Sequence, residues 1–166
     1  MDILLRSSDN EWLANPDRRA AGDPSRMSEI LMSFAETYGA GFAQRAVEAV
    51  RCHRTQNYLA ACVMSGAAAE SILLAVAIEK AKDEEKVLKQ YAGARGRTLT
   101  TNLVISGLKG SIVRQFETAL QVLHYWRDDA AHGMATTISE VEAYASLMQL
   151  LRLAEFCSDC WADLTR

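Results

Sequence analysis

The chain has 166 residues, a formal net charge of −3 and 49% hydrophobic residues, which suits a single domain that buries its own core without metal or disulfide staples. Its two prolines, Pro16 and Pro24, lie near the start. Good helix formers dominate from residue 25 onward, so we predict an all-α fold. The first residues lack the apolar core of a secretory signal peptide, and we therefore expect a cytoplasmic protein.

Several classes of site are not indicated by any motif. The sequence has no glycine-rich phosphate loop, no dinucleotide fingerprint and no paired-cysteine finger. Cys157 and Cys160 have zinc-like spacing, but a second pair of ligands would have to come from Cys52, His53 or Cys62, which lack matching spacing. A reducing compartment favours free thiols over disulfides. We therefore expect neither a metal nor a cofactor.

The first 28 residues differ in character from the rest of the chain. They mix charges with both prolines and contain one short apolar piece around Trp12. Such a segment is expected to form an arm with at most one helix, docking through Trp12. We therefore divide the chain into an N-terminal arm, residues 1–28, and a helical domain, residues 29–166.

Three helices are predicted next, from Met27 to about Tyr38, from Phe42 to about His53 and from Tyr58 to about Lys82. The second of them turns four residues inward: Phe42, Ala46, Ala49 and Val50. The third is the most buried by composition. Its apolar run approaches membrane length, but the polar Ser65 and Glu70 interrupt it, so no membrane span is expected.

One face of the third helix holds its candidate packing residues. Five of them recur at helical spacing: Leu59, Val63, Gly66, Leu73 and Ala77. Residues 66–69 form an exposed seam of small side chains that lets a second copy of the chain come close. Glu70 lies on the same face, and a buried carboxylate needs a cation, for which Arg127 is the candidate. The alternative is that Glu70 faces solvent at the edge of the stripe.

Residues 82–114 carry an excess of positive charge. Seven bases stand against three acids, a local +4 that leaves −7 for the rest of the chain. This asymmetry predicts a positive rim near an anionic ligand. An ordinary solvated helix and loop is the alternative. The candidate anion-binding residues of the segment are Lys86, Lys89, Arg95, Arg97, Lys109 and Arg114.

Four further elements are predicted beyond residue 82. A short helix runs from Asp83 to about Tyr91, a short helix or irregular connector from Thr98 to Leu108, and a longer helix from Ser111. Ser139 and Glu142 form a capping box for the last helix. On that helix six residues alternate by three and four, which is typical of bundle packing: Leu147, Leu150, Ala154, Cys157, Trp161 and Leu164.

The stretch 124–133, His-Tyr-Trp-Arg-Asp-Asp-Ala-Ala-His-Gly, interrupts an apolar helix with charged groups. Upstream of it an apolar stripe consists of five residues: Ile112, Phe116, Ala119, Leu123 and Trp126. Arg127 lies on or beside that stripe, where a charge needs a partner or a solvated cleft. His132 lies about 140° from Arg127 on an ideal helix. For Arg127 and His132 to act together, the helix must distort or end between them, or a second chain must close the site. Gly133 is a natural helix-stop residue.

The form Arg-Asp-Asp-Ala-Ala-His-Gly at residues 127–133 resembles the motif of the HEPN superfamily, an arginine followed after four to six residues by histidine. It looks most like a bacterial branch whose motif runs Arg-Asn-x-Ala-Ala-His-Gly, and the resemblance covers roughly residues 41–164. It implies a HEPN-like bundle of four to five main helices with short accessory helices. It also implies a homodimer in which two motifs face one cleft.

The resemblance also implies an activity. Family members with an intact motif are often metal-independent endoribonucleases of prokaryotic defence or toxin–antitoxin systems, with RNA and an antitoxin or defence protein as partners. RNA carries its own nucleophile, the 2′-hydroxyl, so the enzyme needs an acid or base and a cation. His132 fits the first role and Arg127 the second, with Asp128 orienting one of them and Glu70 and Asp129 in support. The basic residues of segment 82–114 become candidate RNA-binding residues.

The chain departs from the family pattern at two positions. Asp128 stands where asparagine is more common, and with Asp129 it makes the local field more negative. Met134 stands where the branch paired with nucleotidyltransferase antitoxins has a tyrosine, so regulation by modification of that tyrosine is not implied.

A non-catalytic helical interaction module is the competing hypothesis. In that case Arg127, Asp128 and Glu70 form a buried ionic network, His132 caps the helix, and segment 82–114 binds a partner or nothing. The remaining histidines, His53 and His124, are expected to be structural, and His124 lies about 60° from Arg127, where it lines the cleft at most.

Overall fold

The computed structural model describes residues 24–131 and 137–166, and within these ranges the chain forms nine helices and no strand. The predicted all-α fold is therefore confirmed. The expectations for residues 1–23, including docking through Trp12, lie outside the described residues. The helices, in chain order, are α1 (Pro24–Met32), α2 (Ala35–Tyr38), α3 (Ala40–Arg54), α4 (Tyr58–Ala81), α5 (Glu84–Tyr91), α6 (Gly96–Ile105), α7 (Gly110–Ala131), α8 (Glu140–Asp159) and α9 (Trp161–Leu164).

Helix α4 is the centre of the bundle. Helices α3, α7 and α8 make its most extensive contacts, and α5 and α6 pack on it as well. It has the length and composition of a membrane span, but 56% of its most apolar window is buried by the other helices. Helix α4 is thus packed as the central helix of a bundle. The bundle arrangement predicted from the stripes is thus present, with α4 at its core.

The prediction of an inward stripe on α4 is confirmed for the middle of the helix and is wrong for its start. Gly66, Leu73 and Ala77 are buried, and Val63 is half-buried. Leu59, however, is 43% exposed, because the first turn of α4 lies at the edge of the bundle. Since neighbours contact α4 on several sides, its buried residues do not keep to one stripe.

The N-terminal helix begins earlier than predicted and is interrupted. Instead of one helix from Met27 to Tyr38, the chain forms α1 and α2, separated by a turn at residues 33 and 34. Met27 and Leu31 of α1 belong to the main core. Helix α1 therefore belongs to the helical domain and crosses the boundary expected between residues 28 and 29. At the end of α2 the Tyr38 hydroxyl donates to the Ala154 carbonyl at 2.6 Å, which ties α2 to α8.

The two long C-terminal helices follow the predicted stripes. Phe116 and Leu123 of α7 are fully buried. The capping box of Ser139 and Glu142 is present at the start of α8. The last helix ends sooner than predicted, at Asp159, and Trp161 and Leu164 lie on the separate short helix α9.

The thiols of the described residues are free. Cys157 is fully buried in the core of the bundle, and burial raises its thiol pKa well above the ordinary range. Burial also raises the pKa of Cys160. Among residues 24–131 and 137–166 no group of three or more histidine, cysteine or acidic side chains is arranged to hold a metal ion.

The seam of small residues on α4 is closed within the chain. Gly66, Ala68 and Ala69 are buried, and the path of α7 passes directly over Gly66. The expectation that residues 66–69 are exposed for a second copy is therefore wrong. The physical reason is that the missing side chain of Gly66 lets α7 of the same chain approach α4 at short distance.

Candidate functional site

Four charged side chains from three helices meet beside the motif. Glu70 lies on α4, Arg97 on α6, and Arg127 and Asp128 on α7. We call these four residues the charged cluster. Each member makes an ion pair with at least one other member. Apart from the neighbours Arg127 and Asp128, the members are far apart in the sequence, and the fold brings them together.

Glu70 is the buried anchor of the charged cluster. Its side chain is 13% exposed, and its Oε1 atom accepts from Arg97 Nη2 at 2.7 Å. The same oxygen lies 3.2 Å from Arg127 Nη1. The predicted pairing of Glu70 with Arg127 is thus present, and the alternative that Glu70 faces solvent is excluded. A carboxylate shielded from water in this way holds both guanidinium groups in fixed directions.

Asp128 forms the open side of the charged cluster. Its side chain is 43% exposed, and its two oxygens lie 3.3 Å from Arg97 Nη1 and 3.4 Å from Arg127 Nη1. Because the pairs on this side are longer and more solvated, they contribute less to stability than those of Glu70. The charged cluster therefore has a tight buried end and a loose accessible end.

Arg97 has a different place from the one expected. The prediction places it on a positive rim that binds RNA, with an ordinary solvated position as the alternative, whereas in the structure it is paired with Glu70 and Asp128. Burial alone would lower its pKa, but the two carboxylates outweigh that effect and the pKa is raised. Arg97 is thus a member of the motif site that sequence reasoning assigned elsewhere. No local signal links Arg97 to Glu70, because the two residues lie on different helices.

The six basic residues do not gather into one rim. Lys86, Lys89 and Arg95 are exposed on α5 and on the turn before α6. Lys109 and Arg114 lie at the start of α7, and Arg114 is roughly 20 Å along the helix from Arg127. The positive charge of segment 82–114 is therefore divided between the two ends of α7.

A close contact between α5 and α6 determines the position of Arg97. A side chain at Gly96 would collide with the backbone of Tyr91, so only glycine allows α6 to begin there. Tyr91 itself lies close to Glu70. Burial, with a smaller contribution from the Glu70 carboxylate, raises the pKa of the Tyr91 phenol to about 12. The phenol is therefore neutral at physiological pH and completes the buried side of the site.

His124 lies one turn before Arg127 on α7. Its Nε2 atom is buried and has no hydrogen-bond partner within the described part of the chain. Burial, followed by the nearby Arg97, lowers its pKa below 6.5. His124 is therefore neutral at neutral pH and borders the charged cluster, a position that agrees with the cleft-lining role predicted for it.

The end of α7 rests on a second, smaller core. Trp126, next to Arg127, packs against four buried residues: Ala61, Cys62, Ile138 and Ala143. This packing fixes the last described turns of α7 between α4 and the start of α8. Helix α7 is continuous through Ala131. His132, Gly133 and the side chain of Asp129 lie outside the described residues.

The second histidine expected to be structural, His53, is packed between two aromatic rings. Its ring centroid lies 5.7 Å from that of Tyr58 and 5.9 Å from that of Tyr144. Neither ring nitrogen has a hydrogen-bond partner among the residues that are described. His53 is thus a packing residue of α3, away from the charged cluster.

The charged cluster can hold an anion only through the parts of the two arginines that its own acids leave unused. Arg127 uses Nη1 for both of its ion pairs with described residues, and 31% of its side chain is exposed. Arg97 uses both terminal nitrogens. Of the charged cluster, the edge of Arg127 that makes no ion pair with a described residue is therefore available to donate to an anion.

Compared with known proteins, the chain matches no family model, no curated protein and no solved structure.

Proposed function

We propose that the chain is a metal-independent endoribonuclease of the HEPN type, cleaving RNA by attack of the 2′-hydroxyl. The observation that carries the proposal is the state of Arg127, the motif arginine. It is held at the end of α7 by Glu70 and Asp128, and the other edge of its guanidinium makes no ion pair with any described residue. His132 follows five residues later in the sequence. Phosphoryl transfer from RNA requires a cation and a proton-transfer group, and Arg127 and His132 are the motif residues of these two types.

The proposed reaction needs two proton transfers and no metal. His132 takes the proton of the 2′-hydroxyl as its oxygen bonds to the adjacent phosphorus. The bond from phosphorus to the 5′-oxygen then breaks, and that oxygen takes up a proton from water. The products are a 2′,3′-cyclic phosphate and a 5′-hydroxyl. Arg127 stabilises the charge that develops on the phosphorane oxygens.

The fixed direction of Arg127 supports this role. A catalytic cation is most effective when it does not have to reorient during the reaction. Glu70, which is 13% exposed, supplies that restraint from the buried side, and Asp128 supplies it from the accessible side. Arg127 is thus a restrained cation at the motif end of α7, with 31% of its side chain exposed.

Further parts of the proposal rest on the family resemblance. We propose that the enzyme acts as a homodimer, with two motifs sharing one cleft. We also propose that it works in the cytoplasm, in a prokaryotic defence or toxin–antitoxin system with an antitoxin or other partner protein. The Arg127 edge is reached from the surface, so a second copy of the chain can approach it.

One observation favours a second function, a non-catalytic RNA- or protein-binding module. The formal charges of Glu70, Arg97, Arg127 and Asp128 cancel, so the charged cluster as a whole carries no excess of positive charge. Such a network can serve to hold α4, α6 and α7 in register rather than to bind phosphate.

The test that separates the two functions is cleavage of RNA by the wild type and by His132→Ala. We expect the variant to cleave RNA at least about a hundredfold more slowly than the wild type, because the proton-transfer group is lost. Gln121→Ala, at an exposed position on α7, is the matched control and should cleave like the wild type. Cleavage should persist in chelator and leave 2′,3′-cyclic phosphate ends. If His132→Ala cleaves as fast as the control, the interaction-module function replaces the nuclease.

A further inference from the structure

The groove between α7 and α8 has features that neither the motif nor the charged cluster uses. It has a cavity volume of about 410 Å³, within the range of sites for small organic ligands. Its walls come from α7 and α8 alone. The lining residues that matter here are Arg114, Gln115, Gln149, Arg152 and Phe156.

The two arginines of this groove are uncompensated. Arg114 and Arg152 are both exposed, and neither makes an ion pair with any residue in 24–131 or 137–166. The nearest acids along the two helices, Glu117 and Glu155, do not line the groove. In the charged cluster, by contrast, two acids offset the two arginines. The positive charge available to an anionic ligand is therefore greater in the groove than at the motif.

The remaining lining residues suit a nucleobase. Phe156 is half-buried against the main core, so its ring is held while one part of it lines the groove. Aromatic rings of this kind stack with bases irrespective of sequence. Gln115 lines the groove from α7 and Gln149 from α8, and each amide can both donate to and accept from a base edge.

From these features we propose that the groove between α7 and α8 binds a segment of single-stranded RNA, with phosphates on Arg114 and Arg152 and a base on Phe156. This inference rests on the proposed function, because it identifies where the substrate strand is held. Arg114 lies roughly 20 Å along α7 from Arg127. The groove therefore holds RNA at a distance from the point of cleavage and supplies affinity that the neutral charged cluster lacks.

Binding is measured with a fluorescent 2′-O-methyl oligonucleotide of about 15 nucleotides, which lacks the 2′-hydroxyl and so reports affinity without cleavage. The double variant R114Q/R152Q should bind at least about tenfold more weakly. Its slope of log affinity against log salt should be smaller by about 1.4, which corresponds to two lost phosphate contacts. R114K/R152K keeps the charge and should retain the wild-type slope.

The matched control is R26Q/R54Q. It removes two arginines that are exposed and lack ion pairs with described residues, on α1 and α3, so it changes the net charge equally. We expect a change in affinity of less than about twofold. Phe156→Leu keeps an apolar side chain on α8 but removes the ring, and should weaken binding by about fivefold with an unchanged salt slope.

Cleavage of a dinucleotide separates this proposal from the nuclease proposal. A dinucleotide is too short to reach both the groove and Arg127, so R114Q/R152Q should slow cleavage of a long RNA much more than cleavage of a dinucleotide. A wild type that binds the oligonucleotide through the groove but cleaves no RNA would overturn the nuclease and leave the groove standing. Equal affinities of R114Q/R152Q and R26Q/R54Q would overturn the groove. An unchanged affinity of Phe156→Leu would also overturn it. A change in the mass of the particle caused by R114Q/R152Q would overturn it as well, since the groove would then be an interface between copies.

Discussion

A Cβ atom placed on Gly66 would lie 2.5 Å from the Cβ of Arg127 and 3.1 Å from the Leu123 carbonyl oxygen. Helix α7 is thus as close to α4 at this point as glycine permits. Glu70, which holds Arg127, lies one turn further along α4. The position of the motif arginine therefore depends on a residue that carries no charge and takes no part in any proposed chemistry.

We predict that Gly66→Ala separates α7 from α4 and weakens the contact of Arg127 with Glu70. Alanine favours helix over glycine by about 1 kcal/mol, but a methyl group forced into a closed interface costs about 1–3 kcal/mol. The net result should be a loss of stability, measured by urea unfolding, together with slower RNA cleavage. Gly110→Ala is the control, since a Cβ there meets nothing within 4 Å. If Gly66→Ala is as stable as Gly110→Ala, the close approach of α7 is wrong.

A second prediction concerns the buried carboxylate. Glu70→Gln keeps the shape of the side chain but leaves two guanidinium groups with a neutral partner. We expect a loss of about 1–3 kcal/mol, below that of a fully buried pair because both arginines are about one-third exposed. The control is Glu79→Gln on the same helix, where an exposed pair with Lys82 is lost, and less than about 0.5 kcal/mol is expected. Equal midpoints of thermal unfolding for the two variants would show that Glu70 is not an anchor.

His124 leads to a prediction about pH. Its folded pKa lies below 6.5 because of burial and the nearby Arg97, although Glu70 and Asp128 act in the opposite direction and Arg127 adds to the lowering. The unfolded chain therefore binds more protons below about pH 6.5, so stability is full above that pH and falls as the pH drops through the folded pKa.

Replacement of this histidine should remove its part of the acid sensitivity. We expect His124→Gln to lose less stability than the wild type between about pH 7.5 and about pH 5.5, as measured by urea unfolding at both values. A glutamine has no proton to gain in this range. An identical loss in the wild type and the variant would mean that His124 is equally easy to protonate in the folded and the unfolded chain.

The proposed homodimer predicts a particle of twice the 18.3 kDa of one chain in light scattering at micromolar concentration. Cleavage activity per chain should also fall on dilution, because a site shared by two chains is lost when they separate. A particle of one chain mass that cleaves RNA at undiminished specific activity would contradict the shared site.

The sequence predicted most of the fold because helical periodicity is a local property. The spacing of Phe116 and Leu123, and the capping box of Ser139 and Glu142, each depend on residues within a few turns of one another. Local signals gave wrong predictions where the packing of the whole bundle determines the structure. The exposure of Leu59 depends on how far the neighbouring helices extend, and the interruption between α1 and α2 depends on how both pack.

Part of the site was also predictable, because some of its signals are visible in the sequence. Glu70 could be paired with Arg127 because a carboxylate on an apolar face needs a cation, and the motif offers one. Arg97 could not be placed there, because nothing in segment 82–114 distinguishes it from the six other bases. The small residues 66–69 were correctly seen as a packing seam, but composition does not show whether a helix of the same chain or of another chain fills such a seam.

The separations in sequence between Glu70 and its two arginines bear on how the protein folds. Arg97 lies 27 residues from Glu70, whereas Arg127 comes only after all of α6 and most of α7. Contacts between near segments close smaller loops and so form earlier on average. We therefore expect α4, α5 and α6 to associate first, with Arg97 already neutralising Glu70 before α7 docks. Arg97 is then the first counter-ion of Glu70 during folding, and it spares the apolar centre of the bundle an unpaired negative charge.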